Sequence, residues 1–188
     1  MDRLVHPRYS KNFIGHIDSI KKFELAWIKD QMHHAWLISG PEGIGKATFA
    51  YHASNYILGS KETNSELTKI EYNQTSSLIQ SSSHPDLFVV EKTADKQEFF
   101  SKKIISIDVL RNMNIFLSKT PSISEWRVVI IDSVNNLSLN GINSCLKIIE
   151  EPPDKTVIFL ISHNKYEISK TLISRCSKLY FSQLNQKD

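Results

Sequence analysis

The chain has 188 residues, 40% hydrophobic and 23% charged, a composition typical of one globular domain with a substantial core. Its formal net charge of +3 does not indicate a nucleic-acid-binding surface, and its two cysteines, Cys145 and Cys176, form no CxxC pair and so indicate neither a zinc site nor a disulfide framework. The apolar runs fall short of the roughly 18 to 20 residues of a membrane span, and the polar start lacks the apolar core of a secretion signal, so we expect a cytoplasmic protein.

The first predicted elements are a helix and a strand. The helix lies within residues 7–29, because Ile20, Phe23 and Trp27 recur at intervals of three and four residues. It should pack beside the core sheet. The short apolar run at residues 34–39 follows and predicts a buried strand.

A glycine loop at residues 40–48 joins this strand to a helix predicted over residues 46–58. The loop matches the phosphate-binding pattern Gly-x-x-x-x-Gly-Lys-Ser/Thr at every position but the last. Backbone N–H groups at the glycines and at the helix N-terminus can cradle phosphates, and the lysine can reach the outer ones. The candidate nucleotide-binding residues are Gly40, Gly43, Gly45, Lys46, Ala47 and Thr48.

The one departure from the pattern concerns magnesium. Ala47 stands where such loops carry a hydroxyl that binds the metal ion. Thr48 comes one residue too late, because consecutive side chains on a helix point about 100° apart. The loop therefore predicts a phosphate cradle with weakened magnesium binding.

The middle of the chain changes in composition. Residues 59–83 are rich in Ser, Asn, Thr, Glu and Lys, which predicts a surface insertion, partly helical and mobile. Residues 86–91 then predict a strand, and the polar residues 93–103 a loop. A helix is predicted over residues 107–117, ended near Pro121.

The second half of the chain alternates between strands and helices. Strands are predicted at residues 126–132, 156–161 and 178–181, and helices at residues 140–150 and 168–173. A diproline at residues 152–153 stops the first of these helices. Such alternation predicts an α/β fold with a parallel sheet.

Polar residues at strand ends complete the candidate nucleotide site. Asp132 ends the most apolar strand, where nucleotide-hydrolysing domains hold a magnesium-coordinating carboxylate. Ser133 follows where many such ATPases have a glutamate that polarises the attacking water, a role that a neutral serine performs poorly. Ser162 ends the next strand and is placed to sense a terminal phosphate, although an ordinary turn explains it equally well.

Other polar residues carry weaker signals. Arg175 precedes the last strand and, on sequence physics alone, is an ordinary surface charge. His33, His34 and His84 lack partners at metal-ligand spacing, so we interpret them as turn or packing residues. The glutamate pair that begins at Glu150 closes a helix and is interpreted as solvated.

Four segments, in this order, closely resemble the bacterial clamp-loader family of AAA+ proteins. They are the glycine loop with its preceding strand at residues 34–48, His-Pro-Asp at residues 84–86, the segment at residues 143–153 and Ser-Arg-Cys at residues 174–176. The resemblance implies a P-loop NTPase domain of the AAA+, RecA-like type, with a five-stranded parallel sheet and helices on both faces. It also implies partners: the clamp-loader subunits gamma/tau and delta, a sliding clamp and primed DNA.

The resemblance assigns Arg175 a role that the residues alone did not. In the family, the arginine of Ser-Arg-Cys projects across a subunit interface towards ATP bound by the neighbour, so Arg175 is implied to be a catalytic group that acts in trans. Members often carry a four-cysteine zinc module where residues 59–83 lie, and the absence of cysteine there makes zinc unexpected. The family's lid and collar domains have no expected counterpart in residues 1–188, which we interpret as a single AAA+ domain.

Three functions remain open at this point. The first is a non-hydrolysing stator of the clamp loader, with a degenerate nucleotide site and an intact Arg175. The second is an active ATP-hydrolysing subunit of the gamma/tau kind, in which Thr48 or a water molecule replaces the lost ligand and Asp132 holds magnesium. The third is a nucleic-acid-binding module that uses the loop for backbone phosphates, which the small net charge favours least.

Overall fold

The structure is a computed structural model that describes residues 6–59, 66–91, 105, 107–164 and 168–184. Its strands are β1 (Ala35–Ser39), β2 (Leu87–Glu91), β3 (Arg127–Asp132), β4 (Thr156–Ser162) and β5 (Ser177–Tyr180). Its helices are α1 (Ile17–Ile28), α2 (Lys46–Leu58), α3 (Gln74–Gln80), α4 (Ile107–Leu117), α5 (Leu139–Glu150) and α6 (Lys170–Ser174). The predicted strands and the helices from α2 onward agree with these bounds to within two residues, apart from α3, which the sequence analysis did not delimit.

The five strands form one parallel sheet in the order β2-β3-β4-β1-β5. The predicted α/β fold with a five-stranded parallel sheet is therefore confirmed. Because the strands are parallel, their carboxyl ends lie together at one edge of the sheet, which we call the carboxyl edge; the opposite edge is the amino edge. Ser39 pairs with Ser162 and Glu91 with Asp132, so four strand ends meet at the carboxyl edge.

Two apolar layers cover the sheet, one on each face. Successive residues of β4 point to opposite faces, so Phe159 packs with α1 and α2 while Leu160 packs with α4, α5 and α6. All seven residues of β4 are buried, as expected for a central strand covered on both sides. Helices on both faces are thus confirmed. Burial in the second layer raises the pKa of the Cys145 and Cys176 thiols to about 12.

Part of the polar segment at residues 59–83 belongs to the core, which corrects the prediction of a surface insertion. Leu67 is fully buried and Ile79 is 3% exposed. The backbone N–H of Phe13 donates to the Thr68 carbonyl (2.8 Å), so the segment packs against the start of the chain. Helix α3 confirms the predicted helical part. Residues 60–65, and the loop predicted at 93–103, lie outside the described residues.

The histidines interpreted as turn or packing residues make contacts of that kind. The ring of His33 stacks on that of His34 at 4.4 Å, and its Nδ1 accepts a hydrogen bond from the N–H of Ala35 (3.1 Å). His84 is buried, and its Nδ1 accepts a hydrogen bond from the backbone N–H of Asp86 (3.1 Å). Burial lowers the pKa of His34 and of His84. In the described part of the chain, groups of three or more His, Cys, Asp or Glu side chains suited to a metal ion are absent.

Of the helices in the described ranges, every one is too short or too polar to cross a bilayer.

A buried aspartate fixes the turn before β3. The Asp86 carboxylate is 1% exposed and accepts hydrogen bonds from the backbone N–H groups of Ser122, Ile123 (2.9 Å) and Ser124 (2.8 Å). Burial by itself would raise the pKa of this carboxyl group, but the hydrogen bonds outweigh it and the pKa is lowered. The ionised form of Asp86 therefore stabilises the fold.

We expect Asp86→Asn to lower the free energy of unfolding by about 2 to 4 kcal/mol at pH 7, because the amide NH₂ faces backbone donors. The stabilisation from ionised Asp86 is present above the ordinary aspartate pKa of about 4 and is lost as the pH falls through the lower folded value. Urea unfolding from pH 7 to pH 2 should thus show a shallower acid dependence in the variant. The control is Asp30→Asn at an exposed site; an equal loss in both variants would contradict the prediction.

Candidate functional site

The glycine loop lies at the carboxyl edge between β1 and α2, as its sequence predicted. Gly43 and Gly45 have φ angles of 77° and 94°, which residues with a side chain rarely adopt. Gly40 is required for space instead, because a Cβ atom there would lie 2.2 Å from the carbonyl oxygen of Phe181. The backbone conformation of the loop therefore depends on its glycines.

Lys46 lies inside the loop. The residue is 3% exposed, and its Nζ donates hydrogen bonds to the carbonyl oxygens of Gly40 (2.8 Å) and Pro41. Burial lowers the pKa of Lys46, while the nearby carboxylates of Asp132 and Glu42 oppose that shift. The lysine is therefore a loop-bound donor with acidic groups close by, in the position from which it can contact phosphate.

A cavity of about 340 Å³, which we call the loop cavity, brings several predicted residues together. Its lining includes Glu42, Ala47, Tyr51, Glu91, Asp132 and His163. Ala47 thus faces the carboxylate that the sequence analysis assigned to magnesium, whereas Thr48 is not among the lining residues. The structure thus places no hydroxyl at position 47, and Thr48 lies outside the lining of this cavity.

The two serines at the strand ends both donate hydrogen bonds to Asn135, and Ser133 also lines the loop cavity. Ser162 is fully buried, and its hydroxyl donates to Asn135 Oδ1 (2.9 Å) and to the Asn164 carbonyl (3.1 Å). Ser133 is also buried and donates to Asn135 Oδ1 (3.2 Å). His163, next to Ser162, faces the cavity, with its Nε2 3.6 Å from Asp132 Oδ1. At this end of β4, the polar side chain that reaches the cavity is therefore that of His163, the residue after the strand.

Sequence reasoning missed a polar network on the β2 side of the loop cavity. Glu91 accepts hydrogen bonds from the Tyr51 hydroxyl and from Arg8 Nη2 (3.2 Å), and His6 Nε2 lies 3.3 Å from its second oxygen. Burial and the bond to Glu91 raise the pKa of Tyr51. One signal was available, because Tyr51 follows Ala47 by four residues and so shares its face of α2.

These contacts limit the chemistry of the site. Glu91 is the carboxylate nearest in the sheet to Asp132, yet Arg8 and Tyr51 already bind it, which disfavours a role as the base that activates water. Magnesium does not fit the donor set well, because Ala47 supplies no ligand. The groups that remain as candidates to contact phosphate are the loop backbone and Lys46.

Arg175 lies at the opposite edge of the sheet. It comes two residues before β5, and Ser177 of β5 pairs with Trp36 of β1. The loop begins four residues further along β1 at Gly40, about 13 Å beyond that level at 3.3 Å per residue. The structure therefore does not bring Arg175 together with the other predicted site residues.

The sequence of this chain is similar to those of DNA polymerase III subunits. A sequence model of the family described as "DNA polymerase III, delta subunit" matches residues 15–185. The chain is 31% identical over 146 residues to DNA polymerase III subunit delta' of Pseudomonas aeruginosa, covering 78% of this chain and 42% of that protein. It is 25% identical over 189 residues to subunit tau of Bacillus subtilis, covering 98% of this chain and 31% of that protein. The chain thus spans less than half the length of these relatives.

Solved structures share the fold at low sequence identity. A DNA polymerase III gamma subunit-related protein of Thermotoga maritima superposes with a TM-score of 0.61 at 18% identity, covering 90% of this chain and 47% of that chain. The RuvB Holliday junction branch migration motor of the same organism gives 0.51 at 18% identity, covering 95% and 49%. Both similarities support the P-loop fold.

We expect the protein to bind ATP equally well with and without magnesium, because position 47 offers the metal no ligand. Ala47→Ser should restore that ligand and make binding tighter in magnesium by about tenfold, the effect of about 1.4 kcal/mol. Titration calorimetry with ATP, with and without magnesium, measures both effects. Thr48→Ala is the matched control and should bind ATP as the unsubstituted protein does.

Two results would contradict this prediction. Magnesium-dependent binding by the unsubstituted protein that Thr48→Ala abolishes would assign the metal to Thr48 and favour an active ATPase. Binding that survives Lys46→Ala unchanged would show that the loop does not hold the phosphates.

Proposed function

Because this chain belongs to the DNA polymerase III delta subunit family of clamp-loader proteins, we propose that it serves as a delta prime-like subunit of the clamp loader. In this role it is a stator that does not hydrolyse ATP and helps to place a sliding clamp on primed DNA during replication. Its neighbours in the assembly are the gamma/tau and delta subunits, and it works in the cytoplasm.

The location of Arg175 carries the proposal. This arginine lies at the amino edge of the sheet, more than about 13 Å from the level of its own glycine loop. Phosphate bound in the chain's own loop is therefore out of its reach, which supports a contact with nucleotide held by another chain. An arginine supplied in trans stabilises charge on a transferred phosphoryl group, with effects of roughly 10³ to 10⁵ in rate in well-studied hydrolases.

The local site supports a stator over an ATP-hydrolysing subunit. Ala47 removes the hydroxyl that binds magnesium, and Ser133 is hydrogen-bonded to Asn135 where an ATPase needs a carboxylate. The relatives include both subunit delta' and subunit tau, so similarity alone does not separate the two roles. A local site without the magnesium hydroxyl and the catalytic carboxylate, together with an Arg175 that lies away from that site, fits the role of a stator.

We expect Arg175→Ala to slow ATP hydrolysis in the reconstituted loader while leaving assembly intact. The sharpest assay uses a loader in which only the neighbour that faces Arg175 keeps its own loop lysine, so that one site is measured. Loss of the trans arginine should lower DNA-stimulated hydrolysis at that site by at least about tenfold.

Lys170→Ala provides the control, because it removes an exposed cation from the same short helix. This variant should hydrolyse ATP at the normal rate. Hydrolysis by the Arg175→Ala loader at the rate of the control would show that the arginine does not act on the neighbour's nucleotide.

A further inference from the structure

The carboxyl end of α5 lies beside Arg175. Glu150 is the last residue of this helix, and Glu151 and a diproline follow it. A carboxylate at a helix C-terminus meets the negative end of the helix dipole, which is unfavourable unless a cation lies close by. The Nη2 atom of Arg175 lies 2.7 Å from Glu150 Oε1, so the two groups form an ion pair. The glutamate is solvated, as the sequence predicted, and it is also paired.

A second contact holds the same guanidinium group. Its Nη1 donates a hydrogen bond to the Thr171 carbonyl oxygen (3.1 Å). Two of the three guanidinium nitrogens are thus bound, and the group has five N–H donors in a fixed plane. Donors remain for a further acceptor, so these contacts fix the orientation of Arg175 without using all its capacity.

The backbone on both sides of the pair is fixed by the core. Ile149 of α5 and Cys176, the residue after Arg175, are buried in the same apolar layer, together with Cys145 and Leu172. Packing therefore fixes the separation of the two backbone segments that carry Glu150 and Arg175.

The exposure of the pair argues against a purely structural role. The side chains of Arg175 and Glu150 are 37% and 47% exposed. Ion pairs this exposed contribute little to folding stability because water screens them. A long arginine side chain, however, loses many rotamers when it is held, and orientation of a reacting group strongly affects rate.

We propose that Glu150 is a positioning residue for Arg175, holding its guanidinium group in the orientation that reaches nucleotide on a neighbouring chain. This inference rests on the proposed function, since it assigns Glu150 a part in the same trans contact. The pairing leaves the arginine charged and orients it before the subunits meet. The conformational entropy of the Arg175 side chain is then lost before the subunits associate.

The test measures ATP hydrolysis at the single active site that faces Arg175 in the reconstituted loader. Glu150→Ala should lower kcat about tenfold with KM unchanged, because the arginine is present but less often oriented. Glu150→Gln should keep kcat within about twofold, because its amide oxygen still accepts the hydrogen bond from Nη2. Glu151→Ala removes the neighbouring exposed carboxylate and should leave kcat and KM unchanged.

A double variant separates positioning from a general structural defect. If Glu150 acts only through Arg175, Glu150→Ala combined with Arg175→Ala should be no slower than Arg175→Ala alone. An additive loss in the double variant would overturn the proposal. Thermal melting of each variant checks folding, and little change is expected for an exposed pair.

The remaining outcomes distinguish this inference from the proposed function. Unchanged hydrolysis in Arg175→Ala would contradict both the proposed function and this inference. A loss in Arg175→Ala with normal hydrolysis in Glu150→Ala would overturn the inference alone. Faster hydrolysis in Glu150→Ala would mean that the glutamate restrains the arginine, which overturns the inference. Hydrolysis in Glu150→Gln as slow as in Glu150→Ala would exclude a hydrogen bond from Arg175 Nη2 as the means of positioning, and this also overturns the inference.

Discussion

The pairing of β1 with β4 at the centre of the sheet determines where every candidate residue lies. Both strands are buried along their whole length, so their register is fixed by the apolar layers on the two faces. At the carboxyl edge this register sets the glycine loop beside His163, and at the amino edge the chain enters β5 after Arg175. Strand β1 thus has the glycine loop at its carboxyl end and, through its pairing with β5, Arg175 near its amino end.

Buried charge explains why the loop keeps its form after losing a metal ligand. Lys46 is buried against two loop carbonyls, with Asp132 and Glu42 near enough to favour its charged form. Removing one member of such a group would leave an uncompensated buried charge, which is costly. The lysine and the aspartate therefore contribute to the structure of the loop independently of any nucleotide hydrolysis.

The sequence predicted those parts of the fold whose signal is local. Apolar runs and helical spacing located the strands and the main helices, and the glycine pattern located the loop. The burial of Leu67 was not predictable, because a polar stretch became part of the core only through contact with the start of the chain. The binding of Glu91 by Arg8 and Tyr51 joins residues far apart in sequence, and the Ser162 hydroxyl was taken by Asn135 in the same way. For Arg175, family resemblance suggested a role before the structure placed it.

The contact between Gly40 and Phe181 joins the residue after β1 to the residue after β5. The first residue of the phosphate loop lies so close to the chain leaving β5 that no side chain would fit between them, and the N–H of Phe181 also donates to Ser39 (2.8 Å). A shift of the backbone after β5 must therefore displace the loop, and a phosphate that reshapes the loop must move that backbone in turn. The backbone at Phe181 therefore couples the position of the glycine loop to that of the chain that follows β5.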